Sequence, residues 1–189
     1  PISTVTFYNA IANNGKMMRP RFVKQVIKDG QVIMDFPPEV VKGHEQIAKP
    51  QTITTMQTIL EHVVSQGLGK KAGSPSFKVA GKTGTAQMSK GVAGYKSGTM
   101  NYLLSFAGFF PADAPRYSCI VCIQKSGLPA SGGGMSGVVF HHIAEGIMAQ
   151  DLKLDVKDAR DSTSILVPQV KDGNILAADY VLSTLGIKT

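Results

Sequence analysis

The sequence predicts an α+β domain organised on an antiparallel sheet. Three runs rich in apolar, β-branched or aromatic residues begin at Phe77, Tyr102 and Tyr117. Only a glycine-rich loop and the turn Pro111–Pro115 separate them, and connections that short join antiparallel neighbours. Amphipathic helical patterns stand on either side of this block, over 52–65 and 138–150.

Taken in order, Thr4–Asn14 carries Val5, Tyr8, Ile11 and Ala12 at helical spacing, and Asn14-Gly15 is a stop signal. Phe22–Phe36 reads as two short strands around Asp29-Gly30, a strong hairpin turn, and Pro37-Pro38 ends it. Thr52–Ser65 sets Ile53, Met56, Ile59, Leu60, Val63 and Val64 on one helical stripe. Gly67 and Gly69 close that helix and begin a loop to Ser76. The first central strand opens on the alternating residues Phe77 and Val79. Met88–Met100, rich in glycine, serine and lysine, reads as a mobile loop. Tyr102–Phe110 and Tyr117–Gln124 are the second and third strands, and Ser126–Gly137 is a further glycine-rich loop. In Val138–Gln150 the pattern turns Val139, Ile143 and Ile147 inward, with His142 at the margin. Residues 1–150 therefore form one unit. Asp151–Ser164, charged and poor in apolar residues, reads as a linker. Residues 165–189 hold a short strand, Ile165–Val170, and a helical stretch, Asn174–Leu185, as a second small unit.

The net charge is +7, with basic residues gathered in 16–28 and 70–82. Such patches suit nucleic acid, anionic membrane surfaces or carboxylate-rich substrates, and most often they are solvated faces. No aromatic–basic RNA motif or recognition-helix pattern accompanies them, so nucleic acid is not expected as a partner. No apolar run reaches the length of a membrane span and no signal peptide opens the chain. Pro1 leads straight into a helical pattern, so the chain is expected to start inside a larger protein. Cys119 and Cys122 lie in an apolar, β-branched run. Positions three apart on a strand face opposite ways, and no second pair could complete a zinc site, so both read as core cysteines. His141 and His142 read as helix surface or packing, and His44 and His62 as isolated. No metal or cofactor is called for.

One stretch concentrates polar chemistry. Gly81-Lys-Thr-Gly-Thr-Ala-Gln87 places an ammonium, two hydroxyls and two glycines in five positions. Thr83 and Thr85 share a strand face, their hydroxyls about 7 Å apart beside Lys82, a suitable edge for a carboxylate. Gly84 leaves room for close approach to the backbone. A phosphate-binding loop would also end in Gly-Lys-Thr. It needs glycine at the position of Ser76 and a helix directly after Thr83, and the chain has neither. An ordinary edge strand is the plain alternative, and the flanking sequence decides against it.

The chain resembles the C-terminal half of a class B penicillin-binding protein transpeptidase, across roughly residues 1–150. The likeness rests on Phe7–Lys16 with Arg19–Arg21, on Ile59–Gly69, on Val79–Gln87 with its Lys-Thr-Gly element, on Ser105–Asp113 and on Pro115–Tyr117. Residues 166–189 resemble the first half of a PASTA repeat. Two departures stand out. Gly137-Val-Val139 replaces the Ala-Pro or Gly-Pro pair often found before the last helix. No serine has lysine at +3 or asparagine at +2, so the nucleophile and proton-relay motifs are expected upstream of Pro1.

The resemblance implies a mechanism for the complete protein. A serine attacks the penultimate D-alanine carbonyl of a peptidoglycan stem peptide, and an amine from a second stem resolves the acyl-enzyme. Lys82 favours proton relay and binds the terminal carboxylate. The hydroxyls of Thr83 and Thr85 bind the same carboxylate, and the Thr85 backbone N–H is one of two oxyanion donors. Gly84 and Gln87 line the site. β-Lactams mimic the D-Ala-D-Ala end. The resemblance also implies a single N-terminal membrane anchor, an extracytoplasmic location and a missing N-terminal half, without which the chain is expected to be inactive and to self-associate. A D,D-carboxypeptidase or β-lactamase-like hydrolase, and a non-catalytic penicillin-recognising sensor or wall-binding module, remain as alternatives.

Overall fold

The computed structural model describes residues 1–89, 95 and 99–158. Its first compact unit is Pro1–Asp151; of the second, Leu152–Thr189, only residues 152–158 are described. The elements are α1 (Ile2–Ala12), β1 (Gln25–Lys28), β2 (Gln31–Asp35), α2 (Pro50–Ser65), β3 (Ala80–Met88), β4 (Asn101–Phe110), β5 (Tyr117–Ser126) and α3 (Gly137–Asp158).

α1 ends where the sequence breaks it. Asn14 and Gly15 adopt φ of 55° and 93°, and the Gly15 N–H bonds the Ala10 carbonyl at 2.7 Å. β1 and β2 pair antiparallel around Asp29 and Gly30, both at positive φ as a tight hairpin turn requires. Every residue of this hairpin is exposed, including Ile27, Val32, Ile33 and Met34. α2 starts on Pro50, whose missing N–H costs nothing in a first turn, and buries Ile53, Leu60 and Val64. Ile59, expected on that stripe, is 48% exposed, so the buried face is narrower than the pattern suggested.

The central sheet has the order β3-β4-β5, antiparallel throughout, with Ala80 opposite Phe109, Thr83 opposite Phe106 and Phe110 opposite Tyr117. Alternation gives β4 two buried faces. Phe106 and Phe110 meet Val121, Phe140 and Ala144 on one side; Phe109 meets Ile11, Ala12, Leu60 and Ala80 on the other. Rings lock the first cluster: Phe106 and Phe140 lie 4.7 Å apart edge to face, and Phe110 and Phe140 5.6 Å apart.

Several expectations need correction. β3 begins at Ala80; Phe77 and Val79 pack on the core from the preceding coil, which also contains a short 3₁₀ turn, Lys70–Ala72. The glycine-rich segment after β5 is not all loop, because Gly132–Ser136 forms a π-helical turn that opens α3. α3 is rotated from the expected phase. Val139 and Ile143 are exposed, whereas Ile147 faces inward as expected, together with Phe140, Ala144 and Met148, because the large ring of Phe140 takes the slot beside Phe106 and Phe110. Cys119 packs against that core, with burial raising its thiol pKa, whereas Cys122 is exposed on the opposite sheet face. Helix continues to Asp158, through the first half of the expected linker. The rest of the linker and the PASTA-like segment 165–189 lie outside the described residues, as does most of the 88–100 loop.

α3 is also tied down near residue 151. The Tyr117 hydroxyl donates to the Asp151 carboxylate, 2.7 and 2.9 Å from its two oxygens, and Arg116 pairs with it at 3.1 Å. The Asp151 side chain is only 13% exposed but Arg116 is 54% exposed, so solvent screens the guanidinium and the phenol–carboxylate hydrogen bond is the better-shielded half of the tether.

Replacing Phe106 with alanine should cost about 3–5 kcal/mol, the usual range for emptying a buried aromatic site. Urea denaturation of a protein containing this domain measures it; a loss under about 1 kcal/mol would show that the ring is not central to the core.

Candidate active site

The site is built on β3, which has a single neighbour, β4, and is an edge strand among the described residues. Lys82 is exposed, Thr83 and Gly84 half-buried, and Thr85 and Gln87 exposed. Strand alternation puts Lys82 and Gly84 on one face and Thr83 and Thr85 on the other. The lysine nevertheless reaches round the edge on its flexible stem. Its Nζ donates to the Thr83 carbonyl at 3.0 Å and lies 3.4 Å from Thr83 Oγ1. An ammonium and a hydroxyl thus meet at the rim of the sheet. Gln87, opposite Tyr102, stands four residues further along.

Thr85 Oγ1 accepts a hydrogen bond from the Gly132 N–H at 3.0 Å, which brings the π-turn onto the threonine face. The approach is close enough that a side chain at Gly132 would overlap the Gly84 carbonyl oxygen and come within 2.7 Å of that of Ser105. The Ser131 hydroxyl secures the turn by accepting from Gly134 N–H at 2.9 Å. The room that Gly84 leaves is used by the chain itself, since the Ser105 hydroxyl sits where a side chain at 84 would go. Residue type alone singles out neither Ser105 nor Gly132. The run Gly132-Gly133-Gly134 was a signal, because consecutive glycines mark places where backbone approaches backbone, but it does not say which strand is approached.

Two glycines and a histidine fix the strand behind the site. A β-carbon on Gly81 would lie 2.7 Å from the Phe106 ring and from the Ala107 carbonyl. His141 Nδ1 lies 2.9 Å from the Gly73 carbonyl. A carbonyl only accepts, so Nδ1 carries the proton and the histidine staples α3 to the coil before β3. That is the packing role expected for it.

Residues 1–145 match the penicillin-binding protein transpeptidase domain. The chain belongs to this transpeptidase family. It is 31% identical over 157 residues to penicillin-binding protein PbpB of Mycolicibacterium smegmatis, covering 78% of this chain and 24% of that protein. Stage V sporulation protein D of Bacillus subtilis is 29% identical over 203 residues, covering 99% of this chain and 30% of its own length. Among solved structures, the D,D-transpeptidase domain of a peptidoglycan glycosyltransferase from Eggerthella lenta superposes with a TM-score of 0.62 at 25% identity, over 80% of this chain and 32% of that one. The TP domain of Burkholderia pseudomallei penicillin-binding protein 3 gives 0.54 at 32% identity, over 79% and 41%. The chain therefore spans less than a third of the curated relatives described, and the family resemblance drawn from its motifs is borne out.

Within this transpeptidase fold, Gly81→Ala should shift β3 against Phe106. A loss of about 1–3 kcal/mol, typical of overpacking, is expected in thermal or urea unfolding. An unchanged stability would mean that the strand has slack at this position.

Proposed function

We propose that the protein containing this chain is a penicillin-binding D,D-transpeptidase that cross-links peptidoglycan stem peptides through a serine acyl-enzyme. The nucleophile belongs to a part of the protein preceding Pro1, since no Ser-x-x-Lys occurs in the sequence. The observation that supports this best is the exposed Lys82–Thr83 ammonium–hydroxyl pair at the free edge of β3, with the Thr85 hydroxyl on the same strand, in a chain of this family.

In this reading Lys82 supplies the positive potential that draws in the terminal carboxylate of D-Ala-D-Ala and favours proton relay to and from the serine. Thr83 and Thr85 donate hydroxyl hydrogens to that carboxylate. The Thr85 N–H is aimed at the carbonyl oxygen as negative charge develops on it. Gly84 and Gln87 line the approach. β-Lactams acylate the same serine. We assign the protein to the outer face of the cytoplasmic membrane, held by an N-terminal anchor outside this chain. No helix among the described residues is long and apolar enough to cross a membrane. Residues 165–189 are read as the start of a PASTA-like module.

The full-length protein should form a stoichiometric adduct with a labelled penicillin, and Lys82→Ala should slow acylation roughly 10²–10³-fold, as loss of a single electrostatic stabiliser does elsewhere. The chain alone should form none. An adduct on the isolated chain would show that the nucleophile has been misassigned, and an unaffected Lys82→Ala variant that the ammonium has no part in the reaction. Product analysis separates a transpeptidase from a hydrolase: cross-linked dimers in the first case, free D-alanine alone in the second.

In isolation the chain is also expected to self-associate. β5 pairs only with β4 among the described residues, and the β1–β2 hairpin leaves Ile27, Val32, Ile33 and Met34 exposed. Solution scattering at rising concentration should give a mass above that of the monomer; a clean monomer throughout would count against it.

A further inference from the structure

We infer that the Gly132 N–H is a positioning group that sets the Thr85 hydroxyl as a donor toward the ligand carboxylate. The inference rests on the transpeptidase reading and deepens it. A threonine hydroxyl has one hydrogen to give and two lone pairs to receive. A free hydroxyl spins between donating and accepting, and in half of its roles it would offer a lone pair to an anion. At Thr85 one lone pair is already occupied, by the Gly132 N–H at 3.0 Å. A backbone N–H can only donate, so the hydroxyl hydrogen must point elsewhere. Thr85 is exposed, and the hydrogen is left for a group arriving from solvent. Thr83 is loaded in the same sense by Lys82, whose Nζ lies 3.4 Å from Oγ1. Both hydroxyls on this face are therefore supplied with a donor from the protein before any ligand arrives.

The arrangement explains why position 132 is glycine. Any β-carbon there would meet the Gly84 carbonyl oxygen and that of Ser105, so only a bare backbone can bring its N–H within reach of Thr85. Ser131 Oγ, accepting from Gly134 N–H at 2.9 Å, holds the turn in the shape that makes this possible. Gly132 itself is buried. It would touch no substrate and acts through Thr85 alone.

The test uses the full-length protein and compares acylation by benzylpenicillin with acylation by its methyl ester, which has no free carboxylate. Gly132→Ala, and Ser131→Ala as a milder disturbance without a collision, should lower the acid-to-ester ratio of acylation rates, by about tenfold for Gly132→Ala, equivalent to about 1.4 kcal/mol. Thr85→Val should lower the same ratio, and adding Gly132→Ala to Thr85→Val should produce no further fall. If Thr85→Val leaves the ratio unchanged, the role of Thr85 in carboxylate recognition is itself wrong. If Thr85→Val lowers the ratio but Gly132→Ala and Ser131→Ala slow acid and ester equally, or neither, the turn is scaffold only and this inference is overturned. Should Gly132→Ala fail to fold, the Ser131→Ala ratio, alone and with Thr85→Val, decides between the same outcomes.

Discussion

The architecture depends on one large ring and the empty space required around it. Phe106 is fully buried at the centre of β4, beside Phe140 and opposite Thr83. Side chains at Gly69, Gly81, Gly108 and Gly137 would all come within 4 Å of it. A benzyl group of this size at close-packed density leaves no room for a second shell of side chains. The chain answers with glycine from the α2 coil, from β3, from β4 itself and from the start of α3. The four segments meet around one ring, and three of them carry or flank the candidate site. The site is placed by the core rather than by a loop resting on it.

This explains how the two halves of the site come together although about 50 residues separate them. β3 is held by its ladder with β4 and by Phe106 beneath Gly81. The Gly132–Ser136 turn is held by α3, whose Phe140 packs on the same ring. A hydrogen bond from Gly132 to Thr85 then needs no flexible reach. Polar groups carried on packed elements lose little conformational freedom when a ligand arrives, which favours tight geometry over adaptable recognition.

Much of this was legible in the residues. The three central strands, the Asp29-Gly30 hairpin and the α2 helix follow from periodicity and turn chemistry, because both are local. The Lys82–Gln87 stretch could be named from its residue types alone. What could not be read depends on partners distant in sequence. The phase of α3 is not legible because Val139 and Ile143 share a helical spacing with Ile147, which does pack inward, and only the cavity beside Phe106 and Phe110 selects Phe140 and Ala144 in their place. The apolar run around Cys122 suggests core, yet its position on β5 is exposed, beyond the part of that face where α1 meets Ser118. Residue types alone set Lys82 beside both threonines, whereas alternation separates them by face and only the length of its side chain restores the contact with Thr83.

The tether at Asp151 gives the last helix a second fixed point, well beyond the aromatic cluster at its start. A tension applied along the polypeptide from its carboxyl side would reach the folded unit at this carboxylate, where a phenol and a guanidinium from the first two positions around β5 already grip it. The load would pass sideways into the sheet, across its ladder of hydrogen bonds, before it could peel the helix off turn by turn.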